Sequence, residues 1–541
     1  MSADHIKTVS DKPVLIVGAG PSGLIVGIEL ARRGVPFHLI DRMADPAPWS
    51  AAIFIKSRSL EILAGLRLID SFMERGQIVD GVDLYLGERH VGSYRFRDLD
   101  TPYPYIVSIP EEQTINLLTK KLEQHSGCIE RGVEFLGLEE TDDGARARLK
   151  SEESGDYLLE AEWVVAADGY HSAVRDAIGD QFDGKDYPEL WGVVDSQIDN
   201  WSHPRNLTCV QLQPPNVIPF PLGKDRWRVY FRPETTDHAA LEMVNQRLSL
   251  VSPGAKLANT DEPQFFKSHS RLARRYCMGR VLLAGDAAHA SNPIEGHGMN
   301  AGMQDAFNLG WKLALVVSGN GSHQLIASYE AERRPVDRSI VKSGDEAYSR
   351  MDPKGENARQ EVIEFMATAE GQDYAALAES EIGLVYESSP LVEEIGPPPP
   401  ASPRRTVIGG RVGDVANLVR HDGTLRLHDL IFGKGPSLFV LPGDRAPLAV
   451  AEARSFLQEA VKHMSQVPET AFVVLRGQAP DEPIPGDLLY DPAALLHERL
   501  CGDAPSLCVI RPDGHLGFRC SPPSLEALTS HLHRIYGPRV G

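Results

Sequence analysis

The chain has 541 residues, of which 42% are hydrophobic and 24% charged, and its formal net charge is −20. This length exceeds one ordinary core and predicts two or three domains. The negative charge, with no basic stripe to offset it, argues against nucleic acid as a partner. Because residues 1–12 lack an apolar signal segment, and no apolar run approaches the roughly 20 residues of a membrane span, we expect a cytoplasmic protein without membrane contact.

The first recognisable unit covers residues 13–42. An apolar strand leads into a glycine-rich turn, and a helix follows to about Arg33 with Gly34 placed to cap it. A second apolar strand then ends at Asp41. This order predicts a strand–helix–strand unit of the kind that binds dinucleotides.

Each glycine of the turn meets a different structural requirement. Gly18 permits a tight turn, Gly20 lets the backbone approach a pyrophosphate, and Gly23 lets helix and strand pack closely. The helix N-terminus offers N–H groups to the phosphates, and Asp41 can bind both hydroxyls of an adenosine ribose. The unit therefore predicts a dinucleotide site, although it does not decide between NAD and FAD, and a purely structural turn is the alternative.

Two later strands also end beside an aspartate and a glycine. Residues 163–179 contain Asp168-Gly169, and residues 281–314 contain Gly285-Asp286 before a second glycine-rich helix start. A carboxylate at a strand end can accept a hydrogen bond from a sugar hydroxyl with little reorganisation. The alternative for Asp286 is that it only caps the next turn.

Residues 186–267 favour a sheet, because they are rich in β-branched and aromatic residues in short-period alternation. In residues 226–232 this alternation places Trp227, Val229 and Phe231 on one face. The other face carries Arg228, Tyr230 and Arg232. We expect a sheet domain inserted between two α/β stretches.

The clearest linker is the proline-rich segment 396–405, whose four consecutive prolines favour an extended chain. Residues 406–541 after it have a mixed α/β pattern, with a hairpin turning at Asp513-Gly514. The six cysteines have no CxxC or ligand-like spacing, so reduced structural thiols are expected, without a metal site or a redox pair. They are Cys128, Cys209, Cys277, Cys501, Cys508 and Cys520.

Three motifs together resemble those of one family, the class A flavoprotein monooxygenases or FAD-dependent aromatic hydroxylases. They are GAGPSG at residues 18–23, DGYHSAVR at 168–175, and the long segment GDAAHASNPIEGHGMNAGMQDAFNLGWKLA at 285–314, in the family's order. The resemblance continues through residues 332–335. It extends to residues 509–519, which are similar to the end of the thioredoxin-like domain in the phenol hydroxylase and hydroxyphenylpropionate hydroxylase branches.

The resemblance implies an α/β fold of three parts. A Rossmann-like FAD-binding domain of the GR2 type would comprise residues 11–185 and 268–395, interrupted by a substrate-binding sheet domain at 186–267. After the linker at 396–405, residues 406–541 would form a thioredoxin-like domain that serves packing or dimer support. The oligomeric state stays open, with a homodimer among the alternatives.

The resemblance also implies a cofactor site for FAD. Asp286 would bind a ribityl or ribose hydroxyl, Asp168 would support the strand crossing that joins the FAD and NAD(P)H functions, and Leu138 would present its backbone to the adenine. The N–H groups that open the helix after Gly296 would face the reduced flavin ring, where negative charge accumulates. The implied FAD-binding residues are Gly18, Gly20, Pro21, Ser22, Gly23, Asp41, Arg42, Arg58, Gln113, Leu138, Asp168, Gly285, Asp286, Pro293, Gly296, Gly298, Met299 and Asn300.

The sequence departs from the family pattern at three positions. Ala51 stands where members commonly have an arginine near the cofactor, and Ile53 stands where phenol hydroxylase has its catalytic aspartate. Glu295 stands where many members have glycine beside the ring. No catalytic base can therefore be transferred by resemblance.

The catalytic candidates follow from chemistry and position. Glu295 or His297 could relay a proton, and Tyr230 with Arg228 could hold a phenolate or carboxylate if their sheet face covers the substrate. The carbonyl of Pro293 would lie by the substrate. Ordinary loop or surface positions are the alternative for these polar residues, and His289 is interpreted as structural.

The function implied is hydroxylation of a small aromatic substrate, a phenol above all, with NADPH or NADH and O2. Oxygen would pass from a hydroperoxide at flavin C4a to the ring, and the protein would position the ring and exclude water. A related flavoenzyme that performs Baeyer–Villiger oxidation, epoxidation or reduction is one alternative. A flavin-binding interaction protein without catalysis is another. The substrate and the choice of NADPH or NADH stay open.

Overall fold

The computed structural model describes residues 12–537 apart from 47–51, 237, 352–354, 434, 445–447, 464–469 and 481. Ala51, the first departure from the family pattern, lies outside these residues. Among the described helices, none combines the length and apolar character needed to cross a bilayer.

Strands and helices alternate along most of the chain. The strands are β1 (Val14–Val17), β2 (Phe37–Asp41), β3 (Phe54–Ile55), β4 (Gln77–Val79), β5 (Gly81–Leu86), β6 (Arg89–Arg95), β7 (Ile106–Ser108), β8 (Ile129–Arg131), β9 (Val133–Thr141), β10 (Gly144–Ser151), β11 (Gly155–Ala161), β12 (Trp163–Ala166), β13 (Phe182–Asp199), β14 (Leu207–Gln211), β15 (Val217–Gly223), β16 (Arg226–Phe231), β17 (Lys256–Ala258), β18 (Gln264–Ala273), β19 (Cys277–Met278), β20 (Val281–Leu283), β21 (His289–Ala290), β22 (Glu393–Ile395), β23 (Leu418–Arg420), β24 (Gly423–Leu425), β25 (Ser437–Leu441), β26 (Thr470–Arg476), β27 (Leu488–Asp491), β28 (Ser506–Ile510) and β29 (Leu516–Cys520).

The helices pack on both sides of these strands. They are α1 (Pro21–Ala31), α2 (Ser57–Gly65), α3 (Ile69–Arg75), α4 (Glu111–Gln124), α5 (Ala173–Ala177), α6 (His238–Val251), α7 (Gly298–Val317), α8 (Gln324–Met351), α9 (Glu356–Met366), α10 (Ala369–Ser380), α11 (Leu427–Ile431), α12 (Val450–His463), α13 (Leu495–Leu500) and α14 (Leu525–Tyr536). Two 3-10 helices, η1 (Gly285–Ala287) and η2 (Pro293–Glu295), lie between β20 and α7.

A parallel sheet in the order β20-β12-β1-β2-β8 forms the centre of the first part, with β19 antiparallel at its edge. Its inner strands are short, fully buried runs of apolar residues, as strands covered on both faces require. The predicted strand–helix–strand unit is confirmed as β1, α1 and β2. The carboxyl ends of β1, β12 and β20 therefore meet at one edge, which brings the three motifs together.

The glycines at this edge allow backbone segments to meet without side chains between them. A Cβ on Gly23 would lie 1.9 Å from the carbonyl oxygen of Gly18, so α1 could not pack against the turn with any larger residue. Gly18 itself has a φ of +101°, a conformation that favours glycine. Both findings agree with the reasons expected from the sequence.

A mixed sheet, in the order β21-β18-β13-β16-β15-β14-β5-β6, forms the second part. Trp227, Val229 and Phe231 of β16 pack with α6, which confirms the predicted two-faced pattern. The sheet extends beyond the expected range 186–267. The long strand β13 begins at Phe182, and the hairpin β5–β6 joins because β5 pairs in parallel with β14.

The C-terminal sheet has the order β22-β29-β28-β25-β26-β27-β23-β24. Its first strand, β22, precedes the proline-rich segment 396–405, which forms no helix or strand. The predicted hairpin is confirmed as β28 and β29, with Gly514 at a φ of +78° in the turn. All six cysteines are free thiols.

A buried ionic network joins this C-terminal part to α7 and α8. Both guanidinium nitrogens at the end of Arg511 donate to the carboxylate of Glu332, at 2.6 and 2.8 Å. Lys312 donates to the same carboxylate at 2.7 Å. Beside this network Phe432 packs against Phe307 of α7, so one hydrophobic core crosses the boundary.

Candidate active site

A first cavity of about 380 Å³ lies at the carboxyl ends of β1, β12 and β20. The glycine-rich turn before α1 forms one wall, and the segment from η1 to the start of α7 forms another. Tyr230 of the mixed sheet and His269 of β18 close it from the other side. The three sequence motifs thus line a single cavity between the two sheets.

Several polar atoms of this cavity have no protein partner. Asp286 faces the cavity, and no other described residue hydrogen-bonds its carboxylate; surrounding protein atoms desolvate it and raise its pKa. The hydroxyl of Ser291, which also lines the cavity, is buried without a hydrogen-bond partner among the described residues. Asp168 lies beside the cavity, where Oδ2 accepts from the N–H of Val174 at 3.2 Å; burial raises its pKa, and no described residue hydrogen-bonds Oδ1. Asp286 and Ser291 thus leave polar atoms for a ligand rich in hydroxyl groups.

The backbone of the cavity is open in the places where such a ligand needs access. A Cβ added to Gly20 would meet no atom within 4 Å, so space remains beside the turn. Gly298 and Met299 line the cavity at the first turn of α7, where N–H groups have no carbonyl partner within the helix. The chemistry fits FAD: Gly20 would suit its diphosphate, Asp286 a sugar hydroxyl and the N–H groups at the start of α7 its ring.

The side chain of Asn300 is hydrogen-bonded within the protein, which leaves the expectation for its backbone N–H untouched. Its side chain accepts from the backbone N–H of Lys56 at 2.9 Å and donates to the carbonyl oxygen of Phe54 at 2.8 Å. It therefore fastens β3 to the start of α7. Close by, Gly296 has a φ of +63°, and a Cβ there would lie 2.4 Å from the ring of Phe54.

The residues implied for the adenosine end lie outside the first cavity. The carboxylate of Asp41 accepts from the N–H groups of Ala19 and Met43, each at 2.8 Å, and so steadies the glycine-rich turn. Arg42 is exposed, and Leu138 is half-buried on β9. Each carboxylate oxygen of Asp41 keeps a further lone pair for a ribose hydroxyl.

Gln113 and Arg58 do not line the first cavity. Gln113 is half-buried in the first turn of α4, where Glu111 lines the cavity instead. Arg58 is buried and donates to Glu61 at 3.0 Å and to the carbonyl oxygen of Asp513 at 2.6 Å. The expected cofactor contact of Arg58 is corrected here, because its side chain points to the C-terminal part.

A second cavity of about 280 Å³ adjoins the first. The mixed sheet forms its floor, and α8, α9 and α10 cover it. Phe54 lines both cavities; between them lies η2, whose Pro293 lines the first and whose Ile294 and Glu295 line the second. Most of the wall is apolar, with side chains of Val82, Leu84, Ile106, Val210, Leu212, Ile218, Phe220, Val362 and Met366.

Glu295 and His297 form the polar end of the second cavity. Glu295 accepts from the hydroxyl of Ser343 at 2.8 Å, and one of its carboxylate oxygens lies 3.5 Å from Nε2 of His297. Burial opposes charge on both groups, but His297, the hydroxyl of Ser343 and Lys56 lower the pKa of Glu295 to about 2. Burial and Lys56 lower the pKa of His297, but Glu295 and Glu381 outweigh them and raise it to about 9. At neutral pH the cavity wall thus presents a carboxylate beside an imidazolium.

Three further charged residues join this end, and the sequence did not single them out. Nζ of Lys56 lies 2.8 Å from Nδ1 of His297 and 2.9 Å from a carboxylate oxygen of Glu379. Nδ1 of His297 also lies 2.6 Å from a carboxylate oxygen of Glu381. Glu379 and Glu381 stand at the end of α10, more than 80 residues away, and no spacing signal links them to the cofactor motifs.

Tyr230 and Arg228 do not face the second cavity. Tyr230 lines the first cavity, and burial raises the pKa of its hydroxyl. The guanidinium of Arg228 is held by two hydrogen bonds, both of 2.7 Å, to the carboxylate of Asp195. The expectation that this pair holds the substrate is corrected, because Arg228 is already paired within the sheet.

His289 belongs to a buried cluster behind η1. Its Nε2 atom lies 2.8 Å from Asp305, and Asp337 is close enough that the three groups could surround a cation. The guanidinium of Arg333 already pairs with Asp305 at 2.7 Å and with Asp337 at 3.1 Å. The cluster is therefore an internal ionic network that joins α7 to α8, as the structural interpretation of His289 expects.

Comparison with known proteins adds to this geometry. Residues 11–343 match the family model of an FAD binding domain. The chain is 30% identical over 525 residues to pentachlorophenol 4-monooxygenase of Sphingobium chlorophenolicum, covering 94% of each protein. It is 29% identical to 12-dehydrotetracycline 5-monooxygenase/anhydrotetracycline 6-monooxygenase of Streptomyces rimosus, covering 97% of this chain and 99% of that protein.

Solved structures share the fold over nearly the whole chain. The anhydrotetracycline hydroxylase OxyS from Streptomyces rimosus has a TM-score of 0.73 at 27% identity, covering 98% of this chain and 100% of that one. Aklavinone-11 hydroxylase in a ternary complex with FAD and aklavinone has a TM-score of 0.77 at 24% identity, with the same coverage. The likeness thus includes the C-terminal part.

Proposed function

We propose, from the premise that this chain belongs to the FAD-binding family of class A flavoprotein monooxygenases, that its second cavity binds a phenolic aromatic ring for hydroxylation. NAD(P)H and O2 are the co-substrates of the proposed reaction. The observation that carries the proposal is the junction of the two cavities. Among the described residues, η2 and Phe54 lie between a cavity suited to FAD and an apolar cavity with a charged end.

The residues proposed to hold FAD line the first cavity or lie next to the glycine-rich turn at its edge. Gly20, Pro21 and Ser22 would meet the diphosphate, Asp286 a sugar hydroxyl, and the start of α7 the ring. Asp41 would bind the ribose beyond the glycine-rich turn. When bound, FAD would take electrons from NAD(P)H and activate O2 for transfer of one oxygen atom to the ring carbon.

The chain's own part in the reaction is proposed for Glu295 and His297. A phenolic hydroxyl at the polar end could donate to the carboxylate of Glu295 while its oxygen accepts from Nε2–H of His297. Both contacts place negative charge on the phenol oxygen and so raise the electron density of the ring. The apolar walls would exclude water from the same volume.

The size of the second cavity favours a substrate larger than a single ring. About 280 Å³ of space is bounded by a broad apolar sheet face and three helices. The tetracycline monooxygenases named above act on multi-ring compounds by their names, and pentachlorophenol is a single ring. We therefore favour a multi-ring phenol, with single-ring phenols as the second class to test.

The proposed domain division follows the sequence, with the parallel-sheet part at 11–185 and 268–395 and the substrate sheet at 186–267 supplemented by β5 and β6. Residues 406–541 would be thioredoxin-like, which is supported by the parallel pair β25 and β26 linked through α12 and by the hairpin β28–β29 before α14. Six free thiols favour a cytoplasmic location. A homodimer stays an open alternative to a monomer.

The test is a screen of NAD(P)H oxidation by the purified protein. The protein should be yellow or bind added FAD, and multi-ring phenols should accelerate NADPH or NADH oxidation with little release of hydrogen peroxide. A protein that takes up no FAD, or one that no aromatic compound stimulates, would contradict the proposal. Products with a ring-expanding oxygen or an epoxide would instead favour the related flavoenzymes.

A further inference from the structure

The polar end of the second cavity contains more charge than two catalytic groups require. Three carboxylates and two cationic side chains meet there, from three parts of the chain: Lys56, Glu295, His297, Glu379 and Glu381. Such a cluster is costly to bury unless each group has a partner. Its geometry therefore needs an explanation beyond substrate contact.

The members of the cluster differ in their access to the cavity. The side chains of Glu295, His297 and Glu379 keep 16%, 10% and 20% of their surface exposed, whereas Lys56 keeps 1%. Lys56 also lines the cavity, but it is the least exposed of these groups, so a substrate meets Glu295 and His297 first. Lys56 is the N-cap residue of α2. Its backbone N–H donates to the side-chain oxygen of Asn300.

We propose that Lys56 is a positioning residue of the hydroxylation site: its ammonium pairs with Glu379 and Glu381, lies against the imidazole of His297 as a like charge, and so sets how strongly Nε2–H donates to a substrate oxygen. This inference rests on the proposed function, in which His297 faces the phenol. The imidazolium would donate Nε2–H to the oxygen and stabilise negative charge there, and it would keep its proton. A neutral imidazole would stabilise that charge less.

The charges around His297 explain why such a residue is needed. Glu295 from η2 and Glu381 from the end of α10 both hold the proton on the imidazole. Tyr94 of β6 faces Glu295 and Glu379, and burial and these carboxylates raise the pKa of its hydroxyl, so it stays neutral. Gln304 of α7 donates to Glu381 and is neutral. The ammonium of Lys56 is the opposing charge among the described neighbours, and it lowers the pKa of His297.

Lys56 also links the cover of the cavity to the loop beside the flavin site. Its ammonium donates to Glu379 in the last turn of α10, and α10 covers the second cavity. On the other side it meets His297, which precedes α7. The same side chain thus fixes the orientation of the imidazole relative to a covering helix.

The decisive experiment measures the ionisation of His297 directly, by NMR of histidine-labelled holoenzyme, with His297→Gln used to assign the signal. In Lys56→Met the pKa of His297 should rise by about 1 to 2 pH units, because a nearby like charge is lost. Lys56→Arg, which keeps the charge, should restore the wild-type value. Lys342→Met removes an exposed lysine of α8 and should change nothing.

Kinetics of the same variants provide the second readout. The alkaline limb of the pH profile for substrate-stimulated NAD(P)H oxidation should move upward in Lys56→Met, with kcat reduced several-fold and KM changed less. If Lys56→Met does not fold, Lys56→Gln replaces it. A folded neutral variant whose His297 titrates as in the wild type would overturn the inference. Failure of every aromatic compound to stimulate the wild type would instead contradict the proposed function.

Discussion

Nε2 of His297 lies 3.5 Å from a carboxylate oxygen of Glu295 in the wall of the second cavity. The pair stands directly after Pro293 and Ile294, which separate this cavity from the one suited to FAD. A ring bound against Ile294 would therefore have its hydroxyl near the pair and a carbon atom near the flavin site. This relationship underlies the catalytic predictions.

Replacing Glu295 should impair turnover and leave FAD in place. Glu295→Gln keeps the size of the side chain but removes the charge that accepts the hydrogen bond of the phenolic hydroxyl. We expect kcat/KM for the best phenol to fall by about ten- to hundredfold, within the range of acid–base contributions. Glu364→Gln, an exposed change on α9, is the matched control. Unchanged kcat/KM in Glu295→Gln would exclude the carboxylate from the reaction.

Ionisation of His297 should also appear in the stability of the protein. Its folded pKa of about 9 lies above its ordinary value of 6.5, so its contribution is complete below pH 6.5 and is lost as the pH rises through about 9. The full contribution corresponds to about 3 kcal/mol. Denaturant unfolding of wild type and His297→Gln at several pH values measures it. The difference in unfolding free energy should shrink between pH 6.5 and 9.5, and a constant difference would contradict the assignment.

Asp286 should be needed for FAD affinity. Its carboxylate faces the first cavity, and no described residue hydrogen-bonds it, so a sugar hydroxyl is the expected partner. Asp286→Ala should raise the Kd of FAD by about 10- to 100-fold, the effect of losing one hydrogen bond to a charged group. Titration of flavin fluorescence measures this. Glu153→Gln, an exposed acid on the surface, should bind FAD as the wild type does.

The C-terminal part should depend on Arg511 for its docking. Arg511→Met leaves Glu332 with Lys312 and removes the two guanidinium hydrogen bonds. Breaking such a buried pair costs about 3 to 5 kcal/mol, and thermal unfolding should show a clearly lower Tm. Arg420→Met, which breaks an exposed pair with Asp422, should cost about 1 kcal/mol or less. Equal effects in the two variants would show that the buried network adds no special stability.

The cofactor motifs could be located from the sequence because they are local. Gly18, Gly20 and Gly23 stand in one turn, and Asp168 and Asp286 each follow a short apolar strand, so parallel pairing alone brings them to one edge. The predicted hairpin at Gly514 is local in the same way. Neighbouring residues determine the backbone geometry of such a motif, and strand pairing then brings the separate motifs together.

The charged end of the second cavity could not be located in this way. Lys56 and Glu381 are separated by more than 300 residues, and the pairing depends on how α10 packs over the mixed sheet. For Arg58 the sequence motif implied a contact with the cofactor that the structure does not show. Its side chain instead donates to the carbonyl oxygen of Asp513 in the C-terminal part. The sequence of one chain does not reveal which face of α2 meets which neighbour.

The most direct test of the account is product analysis after turnover under ¹⁸O-labelled O2 with FAD, NADPH or NADH, and the phenol that most strongly stimulates oxidation. The account predicts one labelled oxygen atom in the product, attached to a ring carbon as a new hydroxyl. A product without the label, or a label placed in an expanded ring or an epoxide, would contradict it.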